Sequence, residues 1–258
     1  MHEDGQLECV IECAREAGDI VLSYFHRDRM QTRDKGERDV VTDADFASEK
    51  FIRTRLRELF PDDGIVGEEG TAVESSGSRT WYIDPLDGTL NYSHGVPMFG
   101  VSISLFQGSE PVLGVVFDPL RDEMFAAARD SGATCNGIPI HCAKVKELSA
   151  ALVHLTIDFK DEAMRDGLRD IQLIAPAVLR TRNLGSAALA LCYVAAGRLD
   201  GMLHRHAYPW DYGAGVVLIR EAGGVVTELD GSGFTVVSET VLAGANESIR
   251  AGLEALVN

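Results

Sequence analysis

Four acids stand where an apolar stretch gives way to a turn: Glu68, Asp84, Asp87 and Asp211. Asp84 and Asp87 belong to the run Trp81-Tyr82-Ile83-Asp84-Pro85-Leu86-Asp87-Gly88-Thr89-Leu90-Asn91. Its bulky apolar start reads as a buried strand, and Pro85, lacking an N–H, is expected to end the pairing just after Asp84. Gly88 allows a tight turn, and a helix is expected to start near Thr89. The junction offers two carboxylates three residues apart beside the backbone N–H groups of Gly88 and Thr89. Carboxylates collect hard cations, and N–H groups at a helix start collect phosphate.

Each acid also has a purely structural use. Asp211 follows Pro209-Trp210 and suits the N-cap of its own helix; Asp87 suits the N-cap of the helix after Thr89; Glu68 suits a solvated loop. Taken together they point elsewhere. An octahedral Mg²⁺ tolerates few carboxylates per ion, so three or four shared acids imply more than one ion. Two ions about 3.5–4 Å apart clamp the attacking and leaving oxygens of an in-line phosphoryl displacement. Leu86, between the aspartates, can add its carbonyl oxygen.

Bringing these residues together falls to a regular set of elements. Leu7, Val10, Ile11, Ala14, Ala17, Val21, Leu22 and Phe25 have helical spacing with one buried face. The charged segment 27–38 reads as an exposed loop. A second helix is expected over about 43–60 with Ala47, Phe51, Ile52, Leu56, Leu59 and Phe60 inward, stopped by Pro61-Asp62-Asp63-Gly64. The short apolar step Ile65-Val66 then delivers Glu68. From residue 99 the period becomes two: 99–106, 112–117 and 123–128, with a hairpin at Asn136-Gly137, form an antiparallel meander. The second half alternates: strand 152–157, helix 161–174, extended piece 178–182, helix 186–196, strand 199–203, helix 211–222, strand 225–229 and a closing helix from Glu247. The chain divides near residue 145. Segment 1–145 is an α+β half with the antiparallel sheet and most of the acids; 146–258 is an α/β half that supplies Asp211 and pocket residues.

Composition narrows the partners. A chain of 258 residues, 45% hydrophobic, buries a substantial core. A net charge of −16 argues against direct contact with nucleic acid, which demands a basic stripe. The start Met1-His2-Glu3-Asp4-Gly5 opens no apolar signal region, and the small-apolar run 187–196 is too short to span a bilayer. Cys9, Cys13, Cys135, Cys142 and Cys192 form an odd, irregular set with no zinc spacing, as expected of thiols in a reducing cytoplasm.

The run Asp84–Asn91 resembles the signature of the inositol monophosphatase family. So does Trp210-Asp211-Tyr212-Gly213-Ala214-Gly215 with Glu221-Ala222-Gly223-Gly224 behind it. Further matches are Val66-Gly67-Glu68-Glu69, Val41-Thr42-Asp43-Ala44-Asp45, and Gly185-Ser186-Ala187 with Arg182 just before. They follow the family's order at close to its spacing, from about residue 7 onward. The resemblance implies an αβαβα five-layered sandwich of the α+β class and Mg²⁺-dependent hydrolysis of a phosphate monoester such as inositol 1-phosphate. It makes Glu68, Asp84, the Leu86 carbonyl, Asp87 and Asp211 ligands for two to three Mg²⁺ ions. The N–H groups of Gly88 and Thr89 would hold phosphate, with Arg182, Gly185, Ser186, Ala187, His204 and Asp211 around the substrate. Thr89, bonded to Asp45, would orient the attacking water. Thr42-x-x-Asp45 also fits a helix capping box, and the two roles are compatible. Lys35-Gly36 would shape a weaker third metal site. A homodimer and inhibition by Li⁺ are implied as well.

Two positions depart from the family's pattern. Gly213 stands where Ala or Cys is usual, which is expected only to loosen helix packing. His204 stands seven residues before Asp211, where inositol- and histidinol-phosphate phosphatases resemble one another in carrying Glu. A His cannot offer two acceptor oxygens and repels a cationic substrate when protonated. With Arg205, His206 and Arg182 nearby, the rim favours a substrate with extra negative charge, such as fructose 1,6-bisphosphate or a 3′-phosphorylated nucleotide. Alternatively His204 points to solvent and the specificity is broad. A different class remains open, because some bacterial relatives also resemble binding partners of the transcription machinery.

Overall fold

The computed structural model describes residues 3–25, 32–36, 39–70, 72–157 and 161–258. Helix α1 (Glu3–Phe25) precedes a hairpin, β1 (Thr32–Gly36) and β2 (Asp39–Thr42), and helix α2 (Asp43–Leu59). Strands β3 (Gly64–Gly67), β4 (Ala72–Val73) and β5 (Arg79–Asp87) lead to the short α3 (Thr89–Ser93). The meander follows as β6 (Gly100–Gln107), β7 (Glu110–Asp118), β8 (Glu123–Ala128), β9 (Ala133–Cys135) and β10 (Ile138–Pro139). Then come β11 (Leu152–Leu155), α4 (Asp161–Ile174), β12 (Arg180–Arg182), α5 (Ala187–Ala195), β13 (Gly201–Arg205) and α6 (Pro209–Glu221). Strands β14 (Val225–Thr227) and β15 (Thr240–Gly244) and helix α7 (Glu247–Val257) close the chain.

Among the described residues the larger sheet has eight strands, ordered β10-β9-β8-β7-β6-β5-β3-β4, and the second has five, ordered β12-β11-β13-β15-β14. All neighbours in the larger sheet are antiparallel except β3 and β5. Helices α1 and α2 cover one face of it, α5 and α6 lie between the two sheets, and α4 and α7 cover the far face of the second. This is the αβαβα sandwich of the α+β class. One apolar core joins α1 and α2 to the first sheet, with Trp81, Ile83 and Leu86 fully buried in it. The middle core runs from Phe106 and Phe125 through α5 and α6 to Met202 and Val241, so side chains on both sides of residue 145 share it.

Several local expectations are corrected. Strand β5 does not stop at Asp84. A register shift between Asp84 and Asp87 carries the ladder past Pro85 to pair Asp87 with Gly100. A bulge leaves the proline without a ladder bond to donate, so the strand survives it. Part of segment 27–38 is strand rather than loop, since Thr32–Gly36 pairs antiparallel with β2; residues 26–31 and 37–38, and the Lys35 side chain, lie outside the described residues. Strand β15, an interior strand of the second sheet between β13 and β14, has no counterpart among the sequence expectations. On α2 the buried face is Ala44, Asp45, Ser48, Glu49, Ile52 and Leu56, so half of it is polar, while Ala47, Phe51, Leu59 and Phe60, expected inward, are only partly buried.

Gly213 tightens the packing of α6 instead of loosening it. A Cβ there would lie 2.6 Å from Phe106 Cε2, and one on Gly114 would lie 2.5 Å from Ala214 Cα. The middle helix layer sits directly on the strand backbones because these positions lack side chains.

Candidate functional site

The polar face of α2 positions most of the acid cluster. Ser48 Oγ donates to the Pro85 carbonyl at 3.0 Å, fixing the bulge of β5, and Glu49 Oε2 accepts from the Glu69 N–H at 2.8 Å, fixing the turn after β3. One turn earlier Asp45 closes a capping box. Its Oδ2 accepts from the Thr42 N–H at 2.8 Å and the Thr42 hydroxyl at 2.5 Å, while Ala44 N donates to Thr42 Oγ1 at 3.2 Å. The other oxygen, Oδ1, faces Thr89 Oγ1 at 3.1 Å, and that hydroxyl also lies 2.9 Å from the Leu86 carbonyl. Capping and contact with Thr89 therefore coexist. Asp45 is completely buried, and burial pushes its carboxyl up to about 6 against the hydrogen bonds it accepts.

Gly88 starts α3 at φ +91°, a conformation that favours glycine, and a Cβ there would sit 2.9 Å from the Met98 carbonyl. Asp87 does not cap α3. Its carboxylate instead crosses to α5, accepting from the Ser186 hydroxyl, from Ala187 N at 3.1 Å and from Ala188 N at 2.9 Å. An acid at a helix start satisfies orphan N–H groups and meets the positive end of the helix dipole. Asp211 is likewise not an N-cap. Pro209 takes the first helical position, where its missing N–H costs nothing, so the helix begins earlier than the acid. From the third position Asp211 Oδ2 reaches back to the Tyr208 N–H at 2.8 Å. Asp84 Oδ1 accepts from Leu86 N at 3.0 Å.

These acids feel one another. Burial first, then the charges of Glu68, Asp87 and Asp211, hold the Asp84 carboxyl well above its ordinary range, and it shares a hydrogen bond with Glu68. Burial likewise raises Asp87, opposed by the Ser186, Ala187 and Ala188 donors. Asp211 is raised by burial, eased by the Tyr208 N–H, and raised again by Glu68 and Asp87. Repelling, desolvated oxygens of this kind suit hard cations, because positive charge relieves both penalties. Among the described residues no three His, Cys, Asp or Glu side chains form a ready cage for one ion. The fit to a metal is therefore one of donor chemistry and charge, not of a preformed cage.

A cavity of about 490 Å³ opens beside the acids, bordered by Asp87, Asp211, Gly185, Ser186, Ala187 and His204. Asn91 closes its floor, with Nδ2 donating to the Met98 and Leu184 carbonyls, both at 2.8 Å. The basic rim expected around it is not there. Arg182 is exposed and bonds the Thr181 carbonyl, Arg205 forms a two-pronged ion pair with the buried Asp170 at 2.7 and 3.0 Å, and His206 borders a different depression. Only His204 of that group faces the cavity. Two neighbours were missed in the sequence, His154 and Thr156, because only the pairing of β11 with β13 brings them beside His204. Glu49 was missed too; its signal was an acid four residues after Asp45 on the same helix face.

The layers and the acid cluster define a phosphatase-type α+β sandwich. The inositol monophosphatase family profile matches residues 4–258. The Nus factor SuhB of Pasteurella multocida is 38% identical over 253 residues, covering 95% of this chain and 92% of that one. Inositol monophosphatase 1 of Solanum lycopersicum is 36% identical, covering 99% and 97%. The crystal structure of the extragenic suppressor protein suhB from Bartonella henselae superposes with a TM-score of 0.94 at 32% identity, covering 98% of each chain. The inositol monophosphatase from Anabaena superposes at 0.89 with 34% identity, covering 100% and 96%. The chain belongs to the inositol monophosphatase family, whose members are generally metal-dependent phosphatases. Among the described residues no helix is long and apolar enough to cross a membrane.

Proposed function

We propose that this chain is a Mg²⁺-dependent phosphate monoester hydrolase acting on inositol 1-phosphate or a similar small phosphorylated alcohol. The observation that carries the reading is the Asp45–Thr89 contact, set against the Leu86 carbonyl and beside Asp84, Asp87 and Asp211. Glu68, Asp84, the Leu86 carbonyl, Asp87 and Asp211 would hold two to three cations. When bound, these supply positive charge that offsets the phosphate's and lowers the pKa of water.

The chain's own groups do the positioning. The start of α3 leaves the Gly88 and Thr89 N–H groups without intrahelical partners, available to phosphate oxygens. Thr89 Oγ has one proton and two protein acceptors, so a lone pair remains to accept from a water and aim its oxygen at phosphorus. Asp45, at about 6, is ionised at neutral pH yet basic enough to draw the proton that passes to Thr89. No side chain needs to form a covalent intermediate. Gly185, Ser186 and Ala187 line the leaving group's side of the cavity.

With Arg182, Arg205 and His206 removed from the rim, a bisphosphate or 3′-nucleotide preference no longer rests on a basic collar. A binding role is the second reading, favoured by the several similar proteins named Nus factor SuhB. A homodimer, inhibition by Li⁺ and a cytoplasmic location belong to the first. Phosphate release from inositol 1-phosphate, measured with Mg²⁺ and with chelator, separates the two readings. Release that requires Mg²⁺ supports the hydrolase; no release at any cation concentration, from inositol 1-phosphate or from a panel of small phosphate monoesters, favours binding.

A further inference from the structure

Glu68 differs from the other acids in what holds it. Asp84 and Asp87 lie within β5 and Asp211 within α6, each on a hydrogen-bonded element. Glu68 stands on the turn from Gly67 to Gly70 that leaves β3, and Gly70 N reaches back to the Gly67 carbonyl only across a long 3.3 Å. Glu68 N donates to the Ile83 carbonyl at 3.1 Å, which ties the start of the turn to β5. The next residue is tied by α2, where Glu49 Oε2 accepts from the Glu69 N–H at 2.8 Å. Glu49 is a buried acid, and it comes this close because Gly67 has no side chain: a Cβ there would lie 2.6 Å from Glu49 Cδ. A bond from a backbone N–H to a carboxylate is among the stronger kinds. Helix α2 thus clamps the turn that carries Glu68 from a position one helical turn beyond Asp45.

We propose that Glu49 is a positioning residue: by clamping the Glu69 N–H it fixes where Glu68 stands relative to Asp84, and so sets the affinity of the cation that Glu68 helps to hold. The proposal rests on the phosphatase reading, in which Glu68 is a cation ligand, and adds the group that keeps that ligand in place. Mg²⁺ demands near-ideal octahedral geometry, so a ligand on a loosened turn lowers its affinity even when every ligand is present. Groups that orient a metal ligand typically carry about 10–100-fold in affinity. Glu49 acts through Glu68 and needs no contact with substrate or cation.

Cation binding to the full chain, measured without substrate, tests this. Mn²⁺ suits the same octahedral oxygen sites as Mg²⁺, and electron paramagnetic resonance reads how much of it is bound. Expected for Glu49→Ala is an affinity about tenfold or more weaker in the class of sites that Glu68→Gln also weakens, with the other sites unchanged. Because both residues act on one ligand, Glu49→Ala combined with Glu68→Gln should bind no more weakly than Glu68→Gln alone. Glu49→Gln keeps an oxygen for the Glu69 N–H and should lose well under that tenfold. Gly67→Ala, whose Cβ would push the Glu49 carboxylate off the turn, should weaken the same class of sites, and it reads the proposal where Glu49→Ala does not fold. Additive losses in the double variant, equal losses in Glu49→Gln and Glu49→Ala, or unchanged affinity in either Glu49→Ala or Gly67→Ala once folded, overturn the proposal alone. No Mn²⁺ bound by the wild type, or none lost in Glu68→Gln, overturns the cation ligands of the phosphatase reading and the proposal with them.

Discussion

Asp87→Asn separates the structural from the chemical work of one carboxylate. Asp87 accepts three hydrogen bonds at the start of α5, from the Ser186 hydroxyl and the N–H groups of Ala187 and Ala188. An asparagine can keep its single oxygen toward Ser186 and Ala188, but its NH₂ then opposes the Ala187 N–H. One bond lost at a helix start costs about 1–2 kcal/mol. The opposite effect is that the native carboxyl is raised by burial, so removing its charge returns free energy to the fold. The net change without metal is therefore below about 2 kcal/mol. In a chain this size that is a Tm shift of no more than about 4–8 °C. The chemical effect should be far larger. An acid bordering Asp84, Asp211 and the cavity is lost, and turnover of inositol 1-phosphate should fall by at least about a hundredfold. Calorimetry with chelator and with Mg²⁺, beside a phosphate-release assay, reads both quantities. The wild type should gain several degrees on adding Mg²⁺ and the variant much less. Turnover within about tenfold of wild type at saturating Mg²⁺ would refute the assignment, as would an undiminished Mg²⁺-induced rise in Tm.

Three further outcomes follow from single contacts. Thr89→Val removes the hydroxyl between Asp45 and the Leu86 carbonyl and should lower kcat about a hundredfold or more, with Thr89→Ser within tenfold; equal losses in both would show that the hydroxyl is not what matters. His154 carries a sign that can be worked out. Its folded pKa of about 3 lies below the unfolded value near 6.5, so below pH 6.5 the unfolded chain binds a proton that the fold refuses, and stability is lost as pH falls. That loss reaches about 2 kcal/mol at pH 5, and urea titrations should show the stability gap between wild type and His154→Gln narrowing by this amount between pH 7.5 and 5; a pH-independent gap contradicts it. Gly114→Ala would drive a Cβ to 2.5 Å from the Ala214 backbone, so β7 and α6 must separate, at a cost of about 3 kcal/mol or more in urea unfolding; a change under about 1 kcal/mol would mean the helix layer has slack.

Where side chains carry the period of an element, the chain could be read directly. The meander was legible because 99–128 alternates, and its last hairpin because Asn136 and Gly137 both take positive φ, as the tight turn demands. What failed were features decided by distant partners. Pro85 argued for a strand end, and only the bulge opposite β6 shows why the strand continues. Thr32–Gly36 has no apolar alternation, because its pairing with β2 is local to the hairpin. Arg205 looked available to an anion until Asp170, thirty-five residues earlier, claimed it. Glu68 and Asp87 were legible for a different reason: each lies where a strand ends, and ends show in sequence as Gly, Pro and capping residues.

Asp87 ties the acid cluster to the opposite wall of the cavity. The same carboxylate that faces Asp84 and Asp211 also caps α5, and the segment entering α5 supplies Gly185, Ser186 and Ala187 to the cavity wall. Asn91, two residues past Thr89, bonds the Leu184 and Gly185 carbonyls, while Leu184 N–H fixes the His154 tautomer. A chain of direct hydrogen bonds thus runs from the loop at α3 through residues 184–187 to Thr156. A substitution at Asp87 is therefore expected to disturb residues 184–187 as well as the acid cluster. Residues 184–187 must therefore satisfy contacts at both ends of that chain at once.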